Sequence, residues 1–126
     1  MLTGRCLCGA VCYEARENPV YAFHCFCATC RRESGAGHLT IASFREEAVT
    51  ISGPLKMIAP PRAEGADPIP RYFCPECGTT MFAKPTGDRG FVNIRAGTLD
   101  GIVALKIDGS EFPSHAQPWD KPASTG

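Results

Sequence analysis

Three thiols fall within the six residues Cys25-Phe26-Cys27-Ala28-Thr29-Cys30, immediately ahead of Arg31 and Arg32. Thiolate is a soft ligand that selects zinc over magnesium, calcium or manganese, with an iron–sulfur cluster as the minor alternative. A closed structural zinc site takes four protein ligands, whereas a zinc that does chemistry keeps three and leaves one corner open. The trio therefore reads as a working zinc site. A zinc carrying three thiolates is electron-rich and a weak Lewis acid, better suited to activating an incoming thiol, whose pKa falls towards neutrality on coordination, than to polarising a carbonyl unaided. The implied substrate contains sulfur. Arg31 and Arg32 stand close enough in sequence to hold a carboxylate of that substrate through bidentate hydrogen bonds. The competing reading is that they are solvated or paired with Glu33, Glu46 or Glu47.

The other cysteines are Cys6, Cys8, Cys12, Cys74 and Cys77. Cys6 and Cys8 form a C-x-C pair, Cys74 and Cys77 a C-x2-C pair, and each pair is followed by glycine. Two such clamps from distant parts of a chain are the usual way to assemble a four-thiolate structural zinc site. Two zinc ions per chain are thus expected, one structural and one working. Cys12 lies four residues past Cys8, where it is either a further ligand or a small buried side chain; burial is favoured because two complete pairs exist without it. His24 adjoins a ligand, but strand alternation turns it to the opposite face, so a core or surface histidine is preferred to a fourth ligand.

Disulfides are the poorer account of eight cysteines, because near neighbours close small strained rings and cytosolic thiols stay reduced. The first twenty residues hold no apolar core of a signal peptide, and no run approaches the roughly 18 residues of a spanning helix. A cytoplasmic protein without membrane contact is expected. Thirteen basic residues balance thirteen acidic ones in 126, which leaves no electrostatic footprint for nucleic acid. The length suits a single domain spanning residues 1–126.

The elements that must position the cysteines are short. Ala10–Ala15, Val20–Phe26, Leu39–Phe44, Ala48–Ile51, Leu55–Ile58, Arg71–Phe73, Thr80–Lys84, Phe91–Ala96 and Ile102–Ile107 read as strands, separated by turn residues at intervals of about eight to twelve. Cys27–Glu33 reads as one helical turn or a tight loop, closed by Ser34-Gly35-Ala36-Gly37. Ala59–Pro70, with four prolines, is a loop. From Pro113 the chain is expected to lie on the surface through Trp119 or to fray, most of all over residues 120–126. The class is mainly β, with the first zinc pinning the N-terminal strand to the middle of the sheet.

Gly4-Arg5-Cys6-Leu7-Cys8-Gly9-Ala10-Val11, Cys25-Phe26-Cys27-Ala28-Thr29-Cys30-Arg31-Arg32 with Ser34-Gly35-Ala36, Arg71-Tyr72-Phe73-Cys74-Pro75-Glu76-Cys77-Gly78, and Gly97-Thr98-Leu99-Asp100 together resemble the glutathione-dependent formaldehyde-activating enzyme family, or centromere protein V/GFA domain, over residues 3 to 120. The resemblance implies an Mss4-like fold of several coiled antiparallel β-sheets. It also implies a structural zinc on Cys6, Cys8, Cys74 and Cys77 and a catalytic zinc on Cys25, Cys27 and Cys30. The reaction it implies joins formaldehyde to glutathione to give S-hydroxymethylglutathione, a carbon–sulfur lyase or synthase activity on a small thiol adduct. The alternative is a non-catalytic binding module in which both metal sites are structural.

Overall fold

Strand alternation divides this chain into two faces, and the division decides where each cysteine goes. A computed structural model describes residues 1–62, 65–85 and 90–120. Among the described residues ten strands form two sheets. The smaller is antiparallel, with β2 (Cys12–Ala15) between β1 (Leu2–Arg5) and β5 (Val49–Ser52). The larger has seven strands. Its order is β10 (Gly109–Glu111), β3 (Tyr21–Cys25), β4 (Leu39–Arg45), β9 (Phe91–Arg95), β8 (Thr80–Ala83), β7 (Arg71–Phe73) and β6 (Lys56–Ile58). Neighbours pair antiparallel except β10, which runs parallel to β3.

The two faces of the larger sheet have different tasks. In β4 and β9, Ala42, Phe44, Val92 and Ile94 point to one face and join Tyr13 and Ala15 of the smaller sheet, and Val11 just before β2, in the main hydrophobic core. Alternate residues Leu39 and Ile41 point to the other face, where with Phe23 they pack around Cys25, Cys27 and Cys30. Because the period of a strand is two, each strand can serve the core with one set of residues and the thiol site with the other. Phe44 is fully buried, and its loss would cost about 3–5 kcal/mol.

Between β3 and β4 lies the one α-helix among the described residues, α1 (Ala28–Ser34). Cys27 is its N-cap: the Sγ accepts from the Cys30 amide at 3.3 Å. Sulfur here takes the place usually held by a Ser, Thr, Asp or Asn oxygen. The helix stops at Gly35, which is left-handed and returns its amide to the Arg31 carbonyl at 2.9 Å. The sequence leaves this segment between a turn and a loop; the structure makes it a helix of seven residues.

Four expectations are corrected. Ile102–Ile107 forms no strand. Its apolar residues divide instead between burial and solvent, with Leu105 packed on the main core and Ile102 fully exposed. Pairing begins only after the Asp108 amide reaches the Ala22 carbonyl at 2.7 Å, at the open edge of β3. Cys12 is exposed, not buried; β2 turns Tyr13 and Ala15 inwards, so Cys12 and Glu14 face out. The N-terminal strand joins the smaller sheet and not the middle of the larger one. Trp119 is 67% exposed, and the tail is held by Asp120, whose Oδ2 lies 2.5 Å from His38 Nδ1. Residues 121–126, two of loop 59–70 (63 and 64), and 86–89 of the turn after β8 lie outside the described residues. No described helix is long and apolar enough to cross a membrane.

Candidate metal centres

The four cysteines of the two clamps converge at one end of the sheets. Cys6 and Cys8 stand on the turn between β1 and β2, Cys74 and Cys77 on the turn between β7 and β8. Their sulfurs all lie within 4.8 Å of one another. The Cys6–Cys8 and Cys8–Cys74 Sγ distances are 3.7 and 3.8 Å. A tetrahedron with zinc–sulfur bonds of about 2.3 Å has edges of about 3.8 Å, so the donor set fits zinc. Both turns are built alike. The Gly9 amide donates to the Cys6 carbonyl at 3.1 Å and the Gly78 amide to the Cys74 carbonyl at 2.8 Å. Each glycine has φ near +80° (83° and 78°), a conformation that favours residues without Cβ. Thr79 links the clamps: its Oγ1 accepts from the Leu7 amide at 3.1 Å and lies 3.2 Å from Cys77 Sγ. That hydroxyl is the chief reason the Cys77 thiol is held down at about 5. The Ala10 amide lowers Cys8, yet burial and three neighbouring sulfurs outweigh it and push that thiol up to about 12. Thiols this close compete for ionisation, and a divalent cation relieves the competition.

The trio occupies the opposite face of the larger sheet from the main core. Cys25 ends β3, Cys27 caps α1 and Cys30 lies in its first turn. All three are buried, and their sulfurs fall within 4.8 Å of one another, with Cys25 and Cys27 at 3.5 Å. The Cys27 thiol leads in pushing Cys25 up to about 11, and Cys25 leads in pushing Cys30 far above the ordinary thiol range. This set also fits a thiophilic cation. Among the described residues no further His, Cys, Asp or Glu reaches the cluster. His24 faces away: its Nδ1 lies 2.8 Å from Thr40 Oγ1, and its ring meets that of His38 edge-on at 4.6 Å.

Cys25 and Cys30 open onto a cavity of about 250 Å3. Its wall is collected from one face of successive strands: Phe23, Ile41, Asn93, Ala83 and Arg71, together with Arg95. Behind it lies a buried ion cluster. Glu33, from α1, accepts from Arg71 Nη1 at 2.6 Å through Oε1 and from Arg95 Nε at 2.7 Å through Oε2, while Arg95 Nη2 reaches Oε1 at 3.0 Å. The three side chains are 9%, 5% and 10% exposed for Arg71, Arg95 and Glu33.

Sequence reasoning missed this cluster. The Asn93 and Arg95 alternation against Val92 and Ile94 was its one visible signal, since polar residues in step along a strand that is apolar on the other face mark a polar site. Arg31 and Arg32 do not line the cavity. Arg31 is half-buried in the last turn of α1, and Arg32 is exposed on a neighbouring groove of about 670 Å3 bordered also by Thr29, Ile58, Pro60 and Arg71.

A mainly β protein with two separate cysteine clusters, each of a donor chemistry and spacing suited to zinc, is the class that this fold and these sites define. The chain belongs to the glutathione-dependent formaldehyde-activating enzyme family, whose profile matches residues 1–116. It is similar in fold to a Rhodobacter sphaeroides protein whose crystal structure was solved as a structural-genomics target. The TM-score is 0.63 at 20% identity, and the match covers 86% of this chain and 98% of that one. Comparison with curated proteins gives no match.

Proposed function

We propose that the chain is a zinc-dependent carbon–sulfur lyase or synthase that joins a small thiol to an aldehyde, formaldehyde and glutathione being the pair its family is named for. One observation carries this reading: the buried trio has three sulfur donors, no fourth His, Cys, Asp or Glu in reach among the described residues, and a cavity beside Cys25 and Cys30. In this reading Cys6, Cys8, Cys74 and Cys77 hold a structural zinc and Cys25, Cys27 and Cys30 a catalytic one. When bound at the trio, zinc supplies a cationic centre that favours thiolate over thiol near neutral pH.

The chain's own residues set the stage. Cys27 is fixed twice, by the trio and by its role as helix cap, so the donor set is tied to the start of α1. Phe23, Ile41 and Ala83 supply the apolar part of the cavity wall, and Asn93, Arg71 and Arg95 make a polar part. Arg32 borders the adjoining groove, where the polar body of a longer thiol would lie. Arg31, one residue before it and half-buried, is assigned the same carboxylate-holding role. The reaction balances without oxidant or reductant: sulfur forms the bond to carbon, the carbonyl π pair moves to oxygen, and that oxygen takes a proton; the lyase direction is the reverse.

Purified zinc-loaded protein, mixed with glutathione and formaldehyde, should accelerate adduct exchange measured by NMR. An exchange rate equal to that without protein, at full metal content, would leave both sites structural and the protein a binding module.

A further inference from the structure

Arg71 is the most informative side chain that the reading above does not use. Its guanidinium carries five N–H donors. One of them meets Glu33 Oε1 at 2.6 Å, and among the described residues the others have no protein partner. The side chain is 9% exposed, and the little surface left to it borders both the cavity onto which Cys25 and Cys30 open and the neighbouring groove. Burying a guanidinium is costly unless its donors and charge are met. Arg95 presents a contrast. It gives Nε and Nη2 to Glu33 and Nη1 to the Asn93 carbonyl at 3.2 Å, so that each of its nitrogens has a partner. Within the cluster Glu33 supplies one negative charge against the two guanidiniums of Arg71 and Arg95, and Arg62 borders the same cavity. The carboxylate lining the cavity is Glu111, which is exposed and belongs to β10 on the far side of the sheet from β7.

We infer that Arg71 is a specificity-determining residue that receives an anionic group, a carboxylate, on the part of the ligand that enters the trio cavity. The inference rests on the thiol-binding reading above and narrows it. A cavity of about 250 Å3 holds roughly eight water volumes at about 30 Å3 each. Sulfur and carboxylate must therefore stand a few bonds apart. The substrate class is a short mercaptocarboxylate or its aldehyde adduct, with the acid within about three carbons of the sulfur; glutathione, whose carboxylates lie beyond its peptide bonds, would reach the trio with its thiol but leave Arg71 unmet. A planar carboxylate matches two parallel N–H donors of one guanidinium, a geometry that lysine cannot reproduce.

The test is a binding measurement, made on zinc-loaded full-length protein by calorimetry without aldehyde. 3-Mercaptopropionate should bind at least about tenfold tighter than 2-mercaptoethanol, the ratio expected for one charged hydrogen-bonded pair. Propionate should compete, and Arg71→Lys should erase most of the preference while zinc content stays at two per chain. Equal affinity for the two thiols, or no competition by propionate, would overturn the inference and leave Arg71 balancing the charge of the thiolates. Should Arg71→Lys fail to fold, the comparison of ligands on the unaltered protein decides alone. The outcome is separable from the lyase reading. Preferential binding without accelerated exchange sinks the lyase and keeps Arg71's role, whereas equal turnover of both thiols does the reverse.

Discussion

The two cysteine clusters use the same atom type to opposite ends. The four-thiol cluster joins parts of the chain 66 residues apart, ties the smaller sheet to the larger, and sits near the surface, with Cys8 exposed and Cys77 half-buried. Its ligands ride on turns, and its donor set is complete. The trio comes from six consecutive residues, is buried throughout, joins a strand end to a short helix, and faces space on its open side. Closure across a long sequence separation favours stability, since the metal then crosslinks distant chain. An incomplete set beside a cavity adds less to the fold and leaves a coordination position for a ligand. A buried Glu33–Arg71–Arg95 cluster beside the trio, and none among the described residues beside the clamps, fits that contrast.

Removing the complete cluster should have the largest effect. Cys74→Ser, or a chelator strong enough to strip both sites, should abolish cooperative unfolding in calorimetry, since structural zinc contributes on the order of 10 kcal/mol to small domains. Glu33→Gln should come next, lowering stability by about 3–5 kcal/mol in a denaturant titration, because it leaves two buried guanidiniums short of their counter-charge. Cys30→Ala should release one zinc per chain and reduce thiol–aldehyde exchange to the spontaneous rate. Its cost in stability, read by the same titration, should stay below that of Cys74→Ser; equal costs would erase the distinction between the clusters. Cys12→Ser should do least. The thiol is exposed and donates only to the Gly9 carbonyl at 3.3 Å, so stability should change by less than about 0.5 kcal/mol with zinc content unaltered.

Several elements were legible for local reasons. Most strands emerge within a residue or two of their expected bounds, because β-branched and aromatic runs between turn residues are a property of short windows. Strand β1 and the parallel strand β10 were not legible: Leu2–Arg5 is paired by its neighbour β2, and Gly109–Glu111 carries no strand propensity and is extended because the edge of β3 is there to receive it. The converse holds at Ile102–Ile107, where apolar composition meets no free edge.

By itself the sequence determined which cysteines belong together, since a C-x-C or C-x2-C clamp fixes the reach of its sulfurs within a few bonds of backbone whatever the rest of the chain does. Tertiary structure decided what surrounds them. Glu33, Arg71 and Arg95 lie on a helix and two strands, and only the pairing register of the larger sheet, with its period of two, sends Arg71, Asn93 and Ile41 to the trio's face while Ile94 and Ala42 go to the core. A shift of one residue in that register would empty the cavity wall of its charge, and no local feature of the chain records it.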